Sequence, residues 1–137
     1  MLYLDTSALL KLVVNGGDSA ALRAFLAQHA EAECFSSMLA HAELLRAVQG
    51  AGAEATGVAR EVLSRIHLVD VSRELLEQAA TLRTDTPLCT ADAIHLASAM
   101  VAGERLEALL SYDARRSAAA AAFGLAVATP RTPPDAR

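Results

Sequence analysis

The sequence contains no tryptophan, and aromatic residues make up only 4% of its 137 residues. Its core must therefore be largely aliphatic, since 53% of the residues are hydrophobic. Few aromatic rings also argue against proteins that bind single-stranded nucleic acid by stacking bases on exposed aromatic side chains. With 20% charged residues, the composition is that of a folded chain, and the length indicates one domain of the usual size, roughly 150 residues.

Positive charge is also scarce, and Lys11 is the only lysine. Twelve basic residues stand against sixteen acidic ones, which gives a net charge of −4. Such a chain is a poor candidate for passive binding to nucleic acid or to an anionic membrane. An enzyme that acts on nucleic acid is not excluded, because clustered catalytic carboxylates can account for the acidic balance.

Cysteine and long apolar runs are both limited. Cys34 and Cys89 are too far apart for a CxxC motif, so we expect two reduced thiols. The apolar N-terminus is interrupted by Asp5 and Lys11, and it lacks the basic region and cleavage site of a signal peptide. No stretch reaches the ~18 uncharged apolar residues of a membrane span. We therefore expect a soluble, cytoplasmic protein with no membrane partner.

The hydrophobic pattern predicts short strands that alternate with helices. The predicted strands cover 2–4, 34–35, 67–71, 106–112 and 125–128. The predicted helices cover 7–14, 19–29, the segment from Ser36 or Ser37 to about 49, then 59–66, 73–82, 91–101 and 114–123. This alternation predicts an α/β domain over residues 1–130, with a short parallel central sheet and helices on both faces. Residues 131–137 are predicted to form a polar, disordered tail.

Four acidic residues occupy positions where a site could form. Asp5 and Asp113 each follow a predicted strand, and in α/β sheets the site lies at the carboxyl ends of the strands. Asp92 falls in the first turn of an apolar helix, where backbone dipoles favour a carboxylate. Glu43 lies in the middle of a helix among apolar neighbours, which is costly unless the carboxylate is paired or bound to a cation.

Each acid also has a purely structural explanation. Asp5 and Asp113 could cap helices, Glu43 could pair with Arg46, and Asp92 could interact with the helix dipole. If the four converge, each pair at ~5 Å repels by roughly 3 kcal/mol, so the four charges require cations or protons between them. Oxygen ligands select Mg²⁺ or Mn²⁺. Asp5→Asn or Asp92→Asn is then expected to leave the metal-free fold intact or slightly more stable, because repulsion is relieved.

Four segments together resemble the signature of PIN-domain ribonucleases, and within that family the VapC toxins. They read LDTSALLKL at 4–12, AEL at 42–44, TADAIHLASA at 90–99 and SYDAR at 111–115. The resemblance covers about residues 1–130. It implies a parallel sheet flanked by helices, an acidic Mg²⁺ (or Mn²⁺) site and endoribonuclease activity.

The resemblance also implies roles for individual residues. Thr6 and Ser7 match hydroxyl positions that orient acids or waters, although either could be an ordinary helix cap. The catalytic and metal-ligand positions of the family fall on Asp5, Glu43, Asp92 and Asp113.

The chain departs from many relatives at Cys89, where they carry an arginine. If that arginine contacts RNA in the relatives, contact here must come from other residues, and the candidates are Arg115, Arg116 and Arg46. The alternatives are a solvated helix face for Arg115 and Arg116, and pairing with Glu43 for Arg46. A metal-binding or general-base role for His95 is disfavoured, because Mg²⁺ does not seek imidazole and a hydrogen-bonded core histidine fits an apolar helix.

The resemblance implies an endoribonuclease toxin that hydrolyses phosphodiester bonds by a metal-activated water. We expect it to act on structured RNA, such as a tRNA anticodon loop or an exposed ribosomal RNA loop. The implied partners are a second copy of the chain and a cognate VapB-type antitoxin. The alternative is a catalytically silent PIN-like module that serves as a protein- or RNA-binding subunit. The presence of all four acids favours the enzyme.

Overall fold

Five short parallel strands form one sheet at the centre of the molecule. The computed structural model describes residues 1–134. Its strands are β1 (Leu2–Leu4), β2 (Cys34–Ser37), β3 (His67–Val69), β4 (Ala108–Leu110) and β5 (Val127–Ala128). They are ordered β3-β2-β1-β4-β5, and every pairing is parallel. The predicted parallel α/β architecture is confirmed.

Helices connect the strands and cover both faces of the sheet. They are α1 (Thr6–Val13), α2 (Ser19–Gln28), α3 (Met38–Ala47), α4 (Ala53–Ser64), α5 (Arg73–Thr81), α6 (Thr90–Met100) and α7 (Ala114–Ala122). Across residues 1–134, none of them has the length and apolar character needed to cross a bilayer.

Alternation along β1 divides the core between the two faces of the sheet. Leu2 and Leu4 pack into a cluster with residues of α1, α2, α3 and α4. Tyr3 points to the opposite face and packs with residues of α6 and α7, including Leu96 and Ala120. Because side chains alternate along a strand, three residues are enough to contribute to both cores. Both clusters are mostly aliphatic, as the composition predicts.

Several predicted boundaries are wrong, and the largest error concerns α4. That helix begins at Ala53 rather than near 59, and it continues through Gly57. Gly57 costs helix stability, but tertiary packing of Ala59 and Leu63 holds the segment. The turn before α4 is made by Gly52, whose φ of 94° suits glycine.

The first residues of the segment predicted to be a disordered tail contact the rest of the chain. The Arg131 guanidinium donates to Asp18 Oδ2 at 3.2 Å, and the Thr132 amide donates to Asp18 Oδ1 at 3.0 Å. The Thr132 hydroxyl donates to the Gly17 carbonyl. These contacts hold the segment after β5 against the loop before α2, whereas residues 135–137 of the predicted tail lie outside the described residues.

Candidate active site

A crevice opens at the carboxyl ends of the two central strands. From β1 the chain turns to β2 and β3 on one side of the sheet, and it later returns to β4 and β5 on the other. In open α/β sheets, ligands bind at this topological switch point. Because Leu4 pairs with Leu110, the next residues, Asp5 and Ser111, stand side by side at the crevice.

Asp5 is fully buried and accepts four hydrogen bonds there. Its Oδ1 accepts from the Ser7 hydroxyl at 2.6 Å and from the Ala8 amide at 3.0 Å, which caps α1. Its Oδ2 accepts from the Ser111 hydroxyl at 2.5 Å and from Arg116 Nη1 at 2.8 Å. The carboxylate is therefore fixed by the start of α1, the end of β4 and a side chain of α7.

Asp92 faces the same guanidinium from the first turn of α6. Its Oδ1 accepts from Arg116 Nε at 2.9 Å and lies 2.9 Å from Nη2 of the same guanidinium. Its Oδ2 accepts from the Cys89 thiol at 2.9 Å. Asp92 and Arg116 are both buried, with side chains 5% and 8% exposed. Two buried carboxylates thus share one positive charge.

The position of Arg116 corrects a prediction. Sequence reasoning placed this residue on the surface in contact with RNA phosphate, but its guanidinium lies inside, between Asp5 and Asp92. Burial by itself lowers the pKa of the guanidinium, but the two carboxylates outweigh burial and raise the pKa above its ordinary value. Arg116 therefore stays charged and neutralises the acids beside it.

Glu43 projects from α3 toward the same crevice, next to α1 and α6. Its Oε1 accepts from the Thr6 hydroxyl at 2.8 Å and from His95 Nε2 at 2.6 Å. Burial raises the pKa of this carboxyl, but the hydrogen bonds from His95 and Thr6 outweigh burial, and the net pKa is lowered. The side chain remains 30% exposed, so the ionised carboxylate also faces solvent.

His95 connects Glu43 to the core of the sheet. Its side chain is fully buried, and its Nδ1 lies 2.6 Å from the Tyr3 hydroxyl. Because a carboxylate only accepts hydrogen bonds, Nε2 carries the proton that faces Glu43, and we assign the Tyr3 hydroxyl as donor to Nδ1. Burial raises the pKa of Tyr3, which keeps its proton in place. The expectation of a hydrogen-bonded core histidine is confirmed.

Asp113 caps α7, and two of the predicted RNA-contacting arginines lie at the surface. The Asp113 Oδ1 accepts from the amides of Arg115 and Arg116 at 3.0 and 3.1 Å. The side chain of Arg115 is exposed and lines a cleft of about 310 Å³ that reaches Asp92. Arg46 is exposed on α3, three residues after Glu43.

The acids come together only in part. Asp5 and Asp92 meet at Arg116, whereas Glu43 is held at Thr6 and His95, and Asp113 at the start of α7. Within residues 1–134, no three Asp, Glu, His or Cys side chains stand close enough to hold one metal ion. The four predicted carboxylates thus do not meet at one point, and the Arg116 guanidinium supplies the positive charge between two of them.

The donors of this crevice nevertheless suit a hard divalent cation. Asp5 and Asp92 already bind a cation between them, and the neighbouring donors are hydroxyl and carboxylate oxygens. Oxygen ligands of this kind are those that Mg²⁺ and Mn²⁺ prefer. The pair fits such an ion on the condition that Arg116 leaves its position.

Sequence reasoning missed Ser111 and Tyr3 as residues that support the site. Ser111 was placed inside a strand predicted to run to Tyr112, but β4 ends at Leu110, so Ser111 stands free to bind Asp5. A predicted strand that ended at Leu110 would have placed Ser111 beside Asp5. Tyr3 carries no such signal, because only the packing of β1 against α6 brings its hydroxyl to His95.

Comparison with known proteins places this site in a family context. The model of the PIN domain matches residues 2–122. Ribonuclease VapC46 of Mycobacterium tuberculosis is 40% identical over 130 residues, which cover 94% of this chain and 97% of that protein. Ribonuclease VapC35 of the same species is 37% identical over 132 residues, 95% of this chain and 97% of that protein.

Solved structures share the fold. A toxin–antitoxin complex from Klebsiella pneumoniae contains a chain with a TM-score of 0.71 and 22% identity, covering 95% of this chain and 98% of that chain. VapC20 of M. tuberculosis, described as a sarcin–ricin loop cleaving toxin, gives a TM-score of 0.70 and 20% identity over 87% and 95%. VapBC2 of Rickettsia felis, bound to promoter DNA, gives 0.71 and 18% over 93% and 98%.

Proposed function

The chain belongs to the PIN-domain family, and from this membership we propose that it is a metal-dependent endoribonuclease toxin of the VapC type. The observation that carries the proposal is the buried pair of Asp5 and Asp92 around one cation at the switch point of the sheet. The similarity of this chain to ribonucleases VapC46 and VapC35, over more than nine-tenths of its length, also supports RNA cleavage.

Asp5 and Asp92 would hold Mg²⁺ or Mn²⁺, with Glu43 and Asp113 as the further carboxylates of the site. When bound, the ion supplies a nucleophilic water and positive charge against the phosphate that is attacked. Asp5 is fixed for this task by Ser7 and by backbone and hydroxyl donors on two elements. Such preorganisation keeps the ligand in place without reorganisation during the reaction.

Glu43 is positioned by its neighbours rather than by its own helix. Thr6 and His95 both donate to Oε1 of Glu43, and Tyr3 in turn donates to His95. This series of hydrogen bonds runs from the core of the sheet to the crevice. It keeps the carboxylate ionised at the crevice, where the side chain stays partly exposed to solvent.

RNA would reach the site along the cleft lined by Arg115 and Asp92. Arg115, with Arg46 on α3, would contact the backbone phosphates, because both guanidinium groups are exposed. A net charge of −4 gives little affinity for long RNA, so selectivity should come from RNA shape. We propose a structured RNA with an exposed loop, such as a tRNA anticodon loop or a ribosomal RNA loop.

The proposed partners are a cognate VapB-type antitoxin and a second copy of the chain. The likeness to two toxin–antitoxin complexes supports an antitoxin. Exposed apolar side chains on α3 and α5, Met38 and Leu76, are available for a homodimer interface. Such a toxin would act in the cytoplasm, where its RNA is found. Light scattering that shows a monomer at micromolar concentration would exclude the homodimer.

The test is cleavage of total RNA with Mn²⁺ or Mg²⁺, followed by sequencing of the new ends. Wild type should cut few positions, and EDTA or the substitution Asp92→Asn should abolish cleavage. Glu77→Gln, which neutralises an exposed acid on α5, is the matched control and should cleave normally. Equal cleavage by wild type and Asp92→Asn in EDTA would refute the metal mechanism, and degradation of all RNAs would refute the selectivity.

A second candidate function is favoured by Arg116 alone. A guanidinium held between Asp5 and Asp92 would suit a catalytically silent module that binds a protein or RNA without cleaving it. The same assay separates the two functions. If no RNA is cleaved at millimolar Mn²⁺ while the chain still binds RNA or an antitoxin, the silent module is the better description.

A further inference from the structure

The guanidinium of Arg116 takes up the charge of two buried acids. Nη1 donates to Asp5, Nε donates to Asp92 Oδ1, and Nη2 lies 2.9 Å from that same oxygen. The side chain is 8% exposed, so water does not screen these contacts. Within the crevice, Arg116 thus makes the contacts that a cation between the two carboxylates would make.

Asp5 has no spare acceptor position for another cation. Each carboxylate oxygen has two lone pairs, and the four positions are taken by Ser7, the Ala8 amide, Ser111 and Arg116. Ser7 and Ser111 donate from short side chains, and Ala8 donates from the backbone. These donors lie at the N-terminus of α1 and the end of β4, whose positions the sheet fixes. Only Arg116 reaches Asp5 from the end of a long side chain.

We propose that the Arg116 guanidinium holds the place of a divalent cation between Asp5 and Asp92 and that the cation must displace it. This inference rests on the proposed function, because it concerns the same carboxylates. The ion and the guanidinium cannot both neutralise the same oxygens, so they compete for one place. In this position Arg116 closes the site to the ion.

Competition has a measurable consequence for metal affinity. Divalent ions bind only the fraction of molecules in which Arg116 has left, so the apparent affinity is reduced by that fraction. Removal of the guanidinium abolishes this penalty, and Mn²⁺ should bind about tenfold more tightly or better. If Arg116 instead only supported the fold around Asp5 and Asp92, its removal would leave Mn²⁺ binding equal or weaker. Removal of Arg116 thus tightens Mn²⁺ binding if the guanidinium competes with the ion, and does not tighten it if Arg116 only supports the fold.

The test is calorimetric titration of the metal-stripped full chain with Mn²⁺ and no RNA. Arg116→Ala should lower the dissociation constant about tenfold, and Arg116→Lys should restore part of the weaker binding by keeping the charge. Arg60→Ala is the matched control, because Arg60 is exposed on α4 and takes no part in the contacts of Asp5 and Asp92, and the affinity of this variant for Mn²⁺ should stay within about twofold. Unchanged or weaker binding by Arg116→Ala would overturn the proposal.

A second measurement on wild type needs no variant and covers the case in which Arg116→Ala does not fold. Phenylglyoxal modifies accessible arginines, and peptide mapping locates the product. Arg116 should be protected without metal and modified with Mn²⁺, whereas exposed Arg115 should react under both conditions. Protection that Mn²⁺ does not change would overturn the displacement.

These experiments measure Mn²⁺ binding and arginine modification, and neither result depends on RNA cleavage. If wild type binds Mn²⁺ with the predicted dependence on Arg116 but cuts no RNA, the proposed function fails and the inference holds. If RNA is cut in a metal-dependent reaction while Arg116→Ala binds Mn²⁺ no better, the inference fails alone.

Discussion

The substitution Asp5→Asn gives a direct test of how the buried acids are stabilised. Repulsion among acids alone predicts that removing one charge leaves the metal-free chain as stable or more stable. The structure predicts the opposite, because Asp5 forms a buried ion pair with Arg116 at 2.8 Å. Asparagine is nearly isosteric with aspartate, so the change removes the charge and little volume.

The magnitude follows from the pairing. Breaking a buried ion pair by removal of one partner costs roughly 3–5 kcal/mol. Arg116 keeps Asp92 on its other side, so we place the loss of unfolding free energy near the lower end, at about 3 kcal/mol. For a chain of this length, a loss of 1 kcal/mol lowers Tm by about 4 °C, so we expect Tm to fall by roughly 12 °C.

The assay is thermal unfolding followed by circular dichroism in EDTA. Asp113→Asn is the matched control, because Asp113 accepts hydrogen bonds from backbone amides of α7 and asparagine caps helices nearly as well. It should change the unfolding free energy by less than about 1 kcal/mol. A Tm for Asp5→Asn equal to or above that of wild type would refute the ion-pair argument and restore the repulsion argument.

Three further outcomes are expected. Tyr3→Phe leaves the buried Nδ1 of His95 without its donor and should lower the unfolding free energy by about 1–3 kcal/mol, measured by urea denaturation. The Thr132 amide is the main cause of the lowered pKa of Asp18, so their contact persists above the ordinary pKa of 3.8 and is lost as pH falls through the lower folded value. An amide shift of Thr132 that titrates at or above 3.8 would contradict this. Gly57→Ala should raise Tm, with a gain of about 0.4–1 kcal/mol, because Gly57 lies inside α4 and nothing lies within 4 Å of an added Cβ; a lowered Tm would contradict the helical assignment.

The sequence predicted most of the architecture because local signals agreed with one another. Ser37 and Ser72 directly precede α3 and α5, and each hydroxyl accepts from a backbone amide of its helix, as serine commonly does at a helix start. The apolar strand Leu2–Leu4 needed no tertiary information. The start of α4 could not be predicted, since Gly57 is unfavourable in a helix and only burial of Ala59 and Leu63 holds it there.

For the candidate site, the sequence by itself predicted that Asp5 and Asp92 stand at one edge of the sheet. Asp5 is placed at the crevice by the end of β1, and Asp92 by the first turn of α6, and both positions follow from local pattern. Their charge balance was decided only by the tertiary structure. Arg116 lies 111 residues after Asp5 and 24 after Asp92, and no pattern in the sequence distinguishes it from its exposed neighbour Arg115. The packing of α7 against the sheet turns one arginine into the crevice and leaves the other in solvent, because the two point in different directions around the helix.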